Sequence, residues 1–289
     1  MKRLAHTQQP RTSGSHVHGI RSFALAAIAV LALLALCSYP RPAGPSPTVE
    51  PTQPQRLSLE LNLPAFRLEV RDSLTLVRSY TVAIGTRRYK TPTGEFEIAR
   101  IVWNPWWFPP DAEWAAQDTV TPPGPKNPMG KVKLMFNGPY YLHGTPTVSS
   151  LGHAASHGCV RMRNEDAVDL ALLVQPYGGL TVAQALTDTL QASWRKTRTF
   201  SLTNFIPVTI VYRSAEVRDS TLTLFPDVYR RHPKGLYPVA MTALADAGID
   251  TSDVNRDVVR RLARSAASKS ASLALHQLTT IVVEGDLAQ

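Results

Sequence analysis

Leu57, Leu59, Leu61 and Leu63 alternate with polar residues, the period-two pattern of a strand with one face buried. Phe66, Leu68 and Val70 repeat the alternation after Pro64, and Leu74, Leu76, Tyr80, Val82 and Ile84 carry it to Gly85. Pro64-Ala65 and Asp72-Ser73 supply the turns, so the segment reads as three antiparallel strands. Residues 86–140 are loop-rich. Within them T-P-T-G (91–94) turns into the strand E-F-E-I-A-R-I-V, and K-V-K-L-M-F and Y-Y-L-H read as strands running up to His143. W-N-P-W-W-F-P-P (103–110) is dense in aromatics and prolines; it is either a loop packed over the core or one wall of a cleft. P-P-G-P-K-N-P-M-G (122–130) is a further irregular loop.

Beyond residue 162 the period changes. Asn164 is placed to cap a helix with Glu165 and Asp166 in its first turn and Ala167, Leu170, Ala171 and Val174 on one face; Gly178-Gly179 ends it. Residues 206–212 and 221–225 read as a late pair of strands. After Arg230 the pattern is helical, with Val254, Val258 and Leu262 on one face and Arg256, Arg260, Arg261 and Arg264 mostly elsewhere. That is the pattern of an amphipathic helix with solvated arginines; its functional counterpart is a basic surface facing an anionic polymer. The expected fold class is mainly β with helices (α+β).

The start of the chain follows different rules. Residues 1–21 are polar and basic, and residues 22–37 carry no charge. This run is slightly short for a membrane span and long for the apolar part of a signal peptide, and it reads as one or the other. Ala35-Leu36-Cys37 is a tolerable cleavage site; Leu36 is bulky for a lipidation signal. Residues 38–55 hold six prolines, an extended spacer. The expected organisation is a cytoplasmic basic N-terminus (1–21), a signal peptide or membrane anchor (22–37), a linker (38–55), a domain at 56–230 and a helical extension at 231–289. The domain is expected on the extracytoplasmic or periplasmic side, held at the membrane if residues 22–37 are not removed.

The net charge is +9, and Lys2, Arg3, Arg11 and Arg21 contribute four of those charges before any acidic residue occurs. The remaining excess suits an anionic surface such as cell wall or membrane. No basic-aromatic run of the kind that stacks bases occurs, so nucleic acid is not an expected partner. Of two cysteines, Cys37 closes the apolar run and is far from Cys159, so a structural disulfide is not expected.

The chemistry concentrates in S-H-G-C-V-R-M (156–162), preceded by Y-Y-L-H-G-T-P with His143. A cysteine attacks as its thiolate. In an extended segment His157 and Cys159 project to the same side, so His157 is placed to take the thiol proton and return it to a leaving amine. The amides of Gly158 and Cys159 are candidate oxyanion donors, and the Arg161 guanidinium suits a carboxylate. His143, His153, His157 and Cys159 also carry zinc-binding atoms, but H-x-C is not a usual zinc spacing and no C-x-x-C accompanies it. Neither a metal nor an organic cofactor is expected.

Y-L-H-G-T followed by S-H-G-C-V-R-M resembles the active-site signature of the L,D-transpeptidase catalytic domain, the YkuD-like family. L-N-L-P-A-F-R-L-E-V, T-V-A-I-G and K-T-P-T-G-E-F-E-I are similar to that family's opening strands and turn. The resemblance covers roughly residues 56–180. It implies a β-rich domain acting on peptidoglycan stem peptides. Cys159 would be the nucleophile and His157 its proton acceptor and donor. His143 would line the site, Ser156 and Gly158 would shape the oxyanion region, and Arg161, where the family commonly carries Asn, would hold a substrate carboxylate. The implied reaction is thioester formation on a tetrapeptide stem with loss of D-alanine, then cross-linking. The same site could instead use water as acceptor or attach a lipoprotein to the wall. A different class is a non-catalytic wall-binding module.

Overall fold

The alternating leucines at the start of the folded region become the middle of a large sheet. The computed structural model describes residues 57–278, so the expected N-terminal region, apolar run and linker lie outside the described residues. Among the described residues no helix is long and apolar enough to cross a membrane.

The strands in chain order are β1 (Leu57–Asn62), β2 (Arg67–Asp72), β3 (Thr75–Thr81), β4 (Ile84–Gly85), β5 (Gly94–Trp103), β6 (Val132–Asn137), β7 (Tyr140–Gly144), β8 (Ala154–Ser156) and β9 (Val160–Met162). Helices α1 (Asn164–Tyr177) and α2 (Gln184–Ala192) follow, then β10 (Arg198–Val211), β11 (Ala215–Arg218) and β12 (Thr221–Leu224). The chain continues through α3 (Leu236–Asp246), α4 (Arg256–Ser265) and β13 (Ala271–Ala274). The β-rich class expected from the sequence is observed.

Eight strands form one mixed sheet in the order β3-β2-β1-β10-β5-β6-β7-β9. Two of its pairings are parallel, β1 with β10 and β7 with β9; the latter joins the strand ending in H-G to the strand after the cysteine. Leu59, Leu61, Leu68, Ile98, Leu134, Leu142, Val208 and Ile210 are buried in one apolar core. α1 packs its buried Ala167, Leu170, Ala171 and Val174 into that core, on the face the periodicity predicts.

Two expectations change. Asn164 does not cap α1: it is the first helical residue, and its side chain accepts from the Lys131 N–H (2.9 Å) and donates to the Thr145 carbonyl (3.4 Å). It thereby ties the helix start to the ends of β6 and β7. The two late strands do not pair with each other: residues 206–211 belong to β10 in the large sheet, whereas β12 lies between β11 and β13 in a small one. Beyond residue 230 the chain forms α3 and α4. Their Leu236, Ala240, Leu244, Val259 and Leu262 cluster with Ala215, Leu222 and Leu224, so these helices pack on the three-stranded sheet in a second apolar cluster.

Candidate active site

The residues of S-H-G-C do not continue a strand. Residues 157–159 form a bend between β8 and β9 in which Gly158 takes φ 114°, a conformation L side chains rarely adopt. A Cβ at Gly158 would lie 2.6 Å from Tyr140 Cε1, so the close approach of the Tyr140 ring also requires glycine there. The same-side argument for His157 and Cys159, which needs extended backbone, therefore does not hold.

Ser156 pins this bend. Its hydroxyl donates to the Cys159 carbonyl (2.5 Å) and accepts from the Gly158 N–H (3.1 Å). One expectation is corrected here. The Gly158 amide is engaged by Ser156 rather than aimed at an oxyanion. The buried Ser156 hydroxyl works inside the bend, and Ser156 lines the cavity.

A second layer holds the bend from below. The fully buried Thr91 hydroxyl accepts from the Gly85 N–H (2.9 Å) and donates to the Gly158 carbonyl (2.8 Å). The Thr91 N–H donates to the Tyr229 hydroxyl (3.1 Å), which in turn donates to the Gly85 carbonyl (2.9 Å). Gly85 must be bare: a Cβ there would stand 2.0 Å from the Tyr89 carbonyl and 3.0 Å from Gly158 Cα. Thr91 belongs to T-P-T-G and was read only as turn chemistry; Tyr229 carries no local signal.

The Cys159 side chain opens into a cavity of about 380 Å3. Trp106, Trp107, Phe108 and Trp114 form one side of it, so the aromatic stretch is a cleft wall. Trp103, at its start, is instead fully buried in the core. Asn127 anchors the wall, its side-chain nitrogen lying 3.0 Å from the carbonyls of Pro105, Thr121 and Pro122. Trp106 and Phe108 remain exposed at the rim.

The strand register explains which side chains meet there. Lys133 of β6 is opposite His143 of β7, and His143 is opposite Arg161 of β9. Directly paired residues project from the same face of a sheet. Lys133, His143 and Arg161 thus form a row across three adjacent strands, and all three line the cavity with Cys159. Lys133 was not expected from the sequence.

His143 is buried, and its Nδ1 lies 2.8 Å from the Gly144 carbonyl. A carbonyl only accepts, so the tautomer protonated at Nδ1 satisfies this contact and leaves Nε2 as the basic nitrogen of the neutral ring. Burial, with the charges of Arg161 and Lys133, lowers the imidazole pKa to about 4, against the raising effect of the Gly144 and Pro128 carbonyls. His143 is therefore neutral near pH 7. His157 is solvent-exposed. Its ring stacks on Trp114 at 3.8 Å with an interplanar angle of 4°, and it leans on Tyr89 at 4.7 Å. The Cys159 thiol donates to the Pro139 carbonyl (3.4 Å), not to the His157 ring. The expected Cys159–His157 proton pair is thus absent from the hydrogen bonds of the site: His157 contributes to the wall.

Cys159 is a free thiol. Burial raises its pKa, while the Tyr141 backbone N–H, Arg161 and Lys133 act in the opposite direction. Among the described residues no group of three or more His, Cys, Asp or Glu is arranged to hold a metal ion, and the zinc set His143, His153, His157 and Cys159 does not assemble.

The bend that carries Cys159 thus shares one cavity with the buried His143 imidazole, at the edge of the mixed sheet. The model of the YkuD family, described as the L,D-transpeptidase catalytic domain, matches residues 57–201, and the chain belongs to this family. It is 35% identical to YkuD of Bacillus licheniformis over 124 residues and 28% identical to YkuD of Bacillus subtilis over the same length. In each case the match spans 43% of this chain and 62% of the relative. An L,D-transpeptidase structure from Mycobacterium smegmatis aligns over 54% of this chain and 58% of its own at 15% identity, with a TM-score of 0.35.

Proposed function

We propose that this protein is a peptidoglycan L,D-transpeptidase that cross-links stem peptides through a thioester on Cys159, with His143 as its proton relay. The observation that carries the reading is the register of β6, β7 and β9, which sets His143 and Arg161 on one face beside Cys159 in a single cavity.

The thiol and the imidazole are both neutral at rest, so proton transfer accompanies attack. Cys159 Sγ bonds to the carbonyl carbon of the third stem residue as its proton passes to His143 Nε2. The tetrahedral intermediate collapses when that proton reaches the amide nitrogen; the C–N bond breaks and D-alanine leaves. An amine of a neighbouring stem then attacks the thioester, giving its proton to His143, and the thiolate departs and is reprotonated. The Nδ1 bond to the Gly144 carbonyl keeps the ring in the tautomer this requires and stabilises the imidazolium that forms transiently. Arg161 holds a carboxylate of the donor. In ligand-free sites such catalytic hydrogen bonds commonly form only once substrate is bound, consistent with the thiol resting on the Pro139 carbonyl. No metal or organic cofactor enters this scheme. We place the reaction outside the cytoplasm, a location supported by the uncharged run at 22–37 and the proline-rich spacer after it.

The test is mass spectrometry of the protein incubated with a purified tetrapeptide donor. A covalent adduct on Cys159 with release of D-alanine is expected, and none in Cys159→Ala. His143→Gln is expected to lower the acylation rate by at least about 100-fold, and His157→Ala by less than about 10-fold. The reverse order would return the relay to His157; an active Cys159→Ala protein would end the proposal.

A further inference from the structure

Lys133 sits in the cavity with a cationic side chain that the scheme above does not use. Its side chain is half-buried. Burial lowers its pKa, and it interacts electrostatically with Cys159. Its ammonium lies 4.6 Å from the Tyr141 ring centroid, a contact that offsets part of the lost hydration but supplies no counter-charge. Arg161 is likewise partly buried. Among the described residues neither forms an ion pair with a carboxylate. Among the described residues no Asp or Glu lines the cavity. Two desolvated cations without protein counter-ions are costly unless an anionic ligand completes them.

Their placement says how many anionic groups that ligand brings. Lys133 and Arg161 rise from β6 and β9, on either side of β7. Two strand spacings separate their backbones by roughly 10 Å. Both cations act electrostatically on Cys159 and line its cavity, so a carbonyl attacked there has both within reach. That spacing suits two carboxylates on either side of one amide better than a single carboxylate shared between them.

We infer that Lys133 is a specificity residue, binding a second donor carboxylate, so that the preferred donor carries one carboxylate on the leaving residue and another on the side chain of the residue that is acylated. This rests on the transpeptidase reading. It names the donor subclass: a stem whose third residue is a diamino acid with a free, not amidated, side-chain carboxyl group. Arg161 takes the carboxylate of the leaving residue, and the Lys133 ammonium takes that of the side chain.

The experiment has two arms, both on the intact protein. In the first, the rate of adduct formation on Cys159 is measured with a tetrapeptide bearing the free side-chain carboxylate and with its carboxamide counterpart. A preference of about 10-fold or more for the free acid is expected, because a charge-assisted contact is lost in the amide. Lys133→Met should acylate with both at nearly the same rate, and Lys133→Arg should restore the preference. A wild-type protein indifferent to amidation, or a Lys133→Met protein that keeps the preference, overturns the inference. In the second arm, Cys159 is alkylated with iodoacetate and with iodoacetamide, which needs no stem peptide. The ratio of the two rates, relative to free cysteine, should favour the anionic reagent and fall several-fold in Lys133→Met. If no tetrapeptide acylates the protein but this ratio behaves as expected, the transpeptidase reading fails and the anion site stands; an unchanged ratio in Lys133→Met removes the anion site itself.

Discussion

Burial raises the Cys159 thiol, and burial lowers the His143 imidazole, so the two groups move away from the ion pair that some cysteine enzymes maintain at rest. Alkylation by iodoacetamide should therefore climb with pH and show no plateau below about pH 9, above the ordinary thiol range. A plateau near neutrality would reveal a preformed thiolate and overturn the concerted first step. At this scale the sequence showed Cys159 and both histidines plainly, because those side chains are rare and close together. It did not show the bend between residues 157 and 159, which turns on a single glycine at positive φ. Lys133 was hidden for a related reason. In V-K-L-M it looks like the outward half of an alternating strand, and only the pairing with His143 brings it to the cavity.

The strands were legible wherever buried and less buried positions alternate, as in β1 and β6. The supports of the bend at residues 157–159 were not, because hydrogen bonds between residues far apart leave no local pattern. Thr91 and Gly158 are separated by 67 positions. Replacing Thr91 by Val keeps the shape and removes the hydroxyl, leaving the Gly158 carbonyl and the Gly85 N–H unpaired in a buried setting. The expected cost is about 1–3 kcal/mol of stability, read by urea denaturation, together with about a 10-fold loss in Cys159 acylation rate. Stability lost with acylation unchanged would mean that Ser156 alone holds the bend. α2 escaped sequence reading because its 9 residues bury only Thr187 and Leu190, too few to announce a periodic face.

Across the whole molecule, a charged seam joins the large sheet to the C-terminal elements. Glu69 of β2 pairs with Arg67 and Arg71, and with Arg218 of β11; Glu216 of β11 pairs with Arg67. Burial alone would raise the Glu69 carboxyl, but its bonds to Arg218 and Arg71 and the charges of Arg218 and Arg67 prevail and hold it at about 2. Because the folded value lies below the ordinary one of 4.5, the stabilisation is present above about pH 4.5 and is lost as pH falls toward about 2. Glu69→Gln should cost about 3 kcal/mol at about pH 7. The difference from wild type in urea denaturation should shrink as the pH is lowered through that window. An equal difference at every pH would exclude Glu69 ionisation as its source. Nothing in the sequence foretold this seam, since its charges look like the solvated faces of two separate strands.

Tyr229 follows β12 and belongs to the stretch linking the two apolar clusters, yet its hydroxyl closes the hydrogen-bond circuit beneath the cysteine. The matched family region stops at residue 201, partway along β10. Cutting the gene at that limit would therefore sever a central strand and discard the phenol on which the footing of Cys159 depends. Anyone exchanging the tail for that of a relative must deliver an equivalent aromatic hydroxyl to the same place, or accept a sulfur that wanders from its mark.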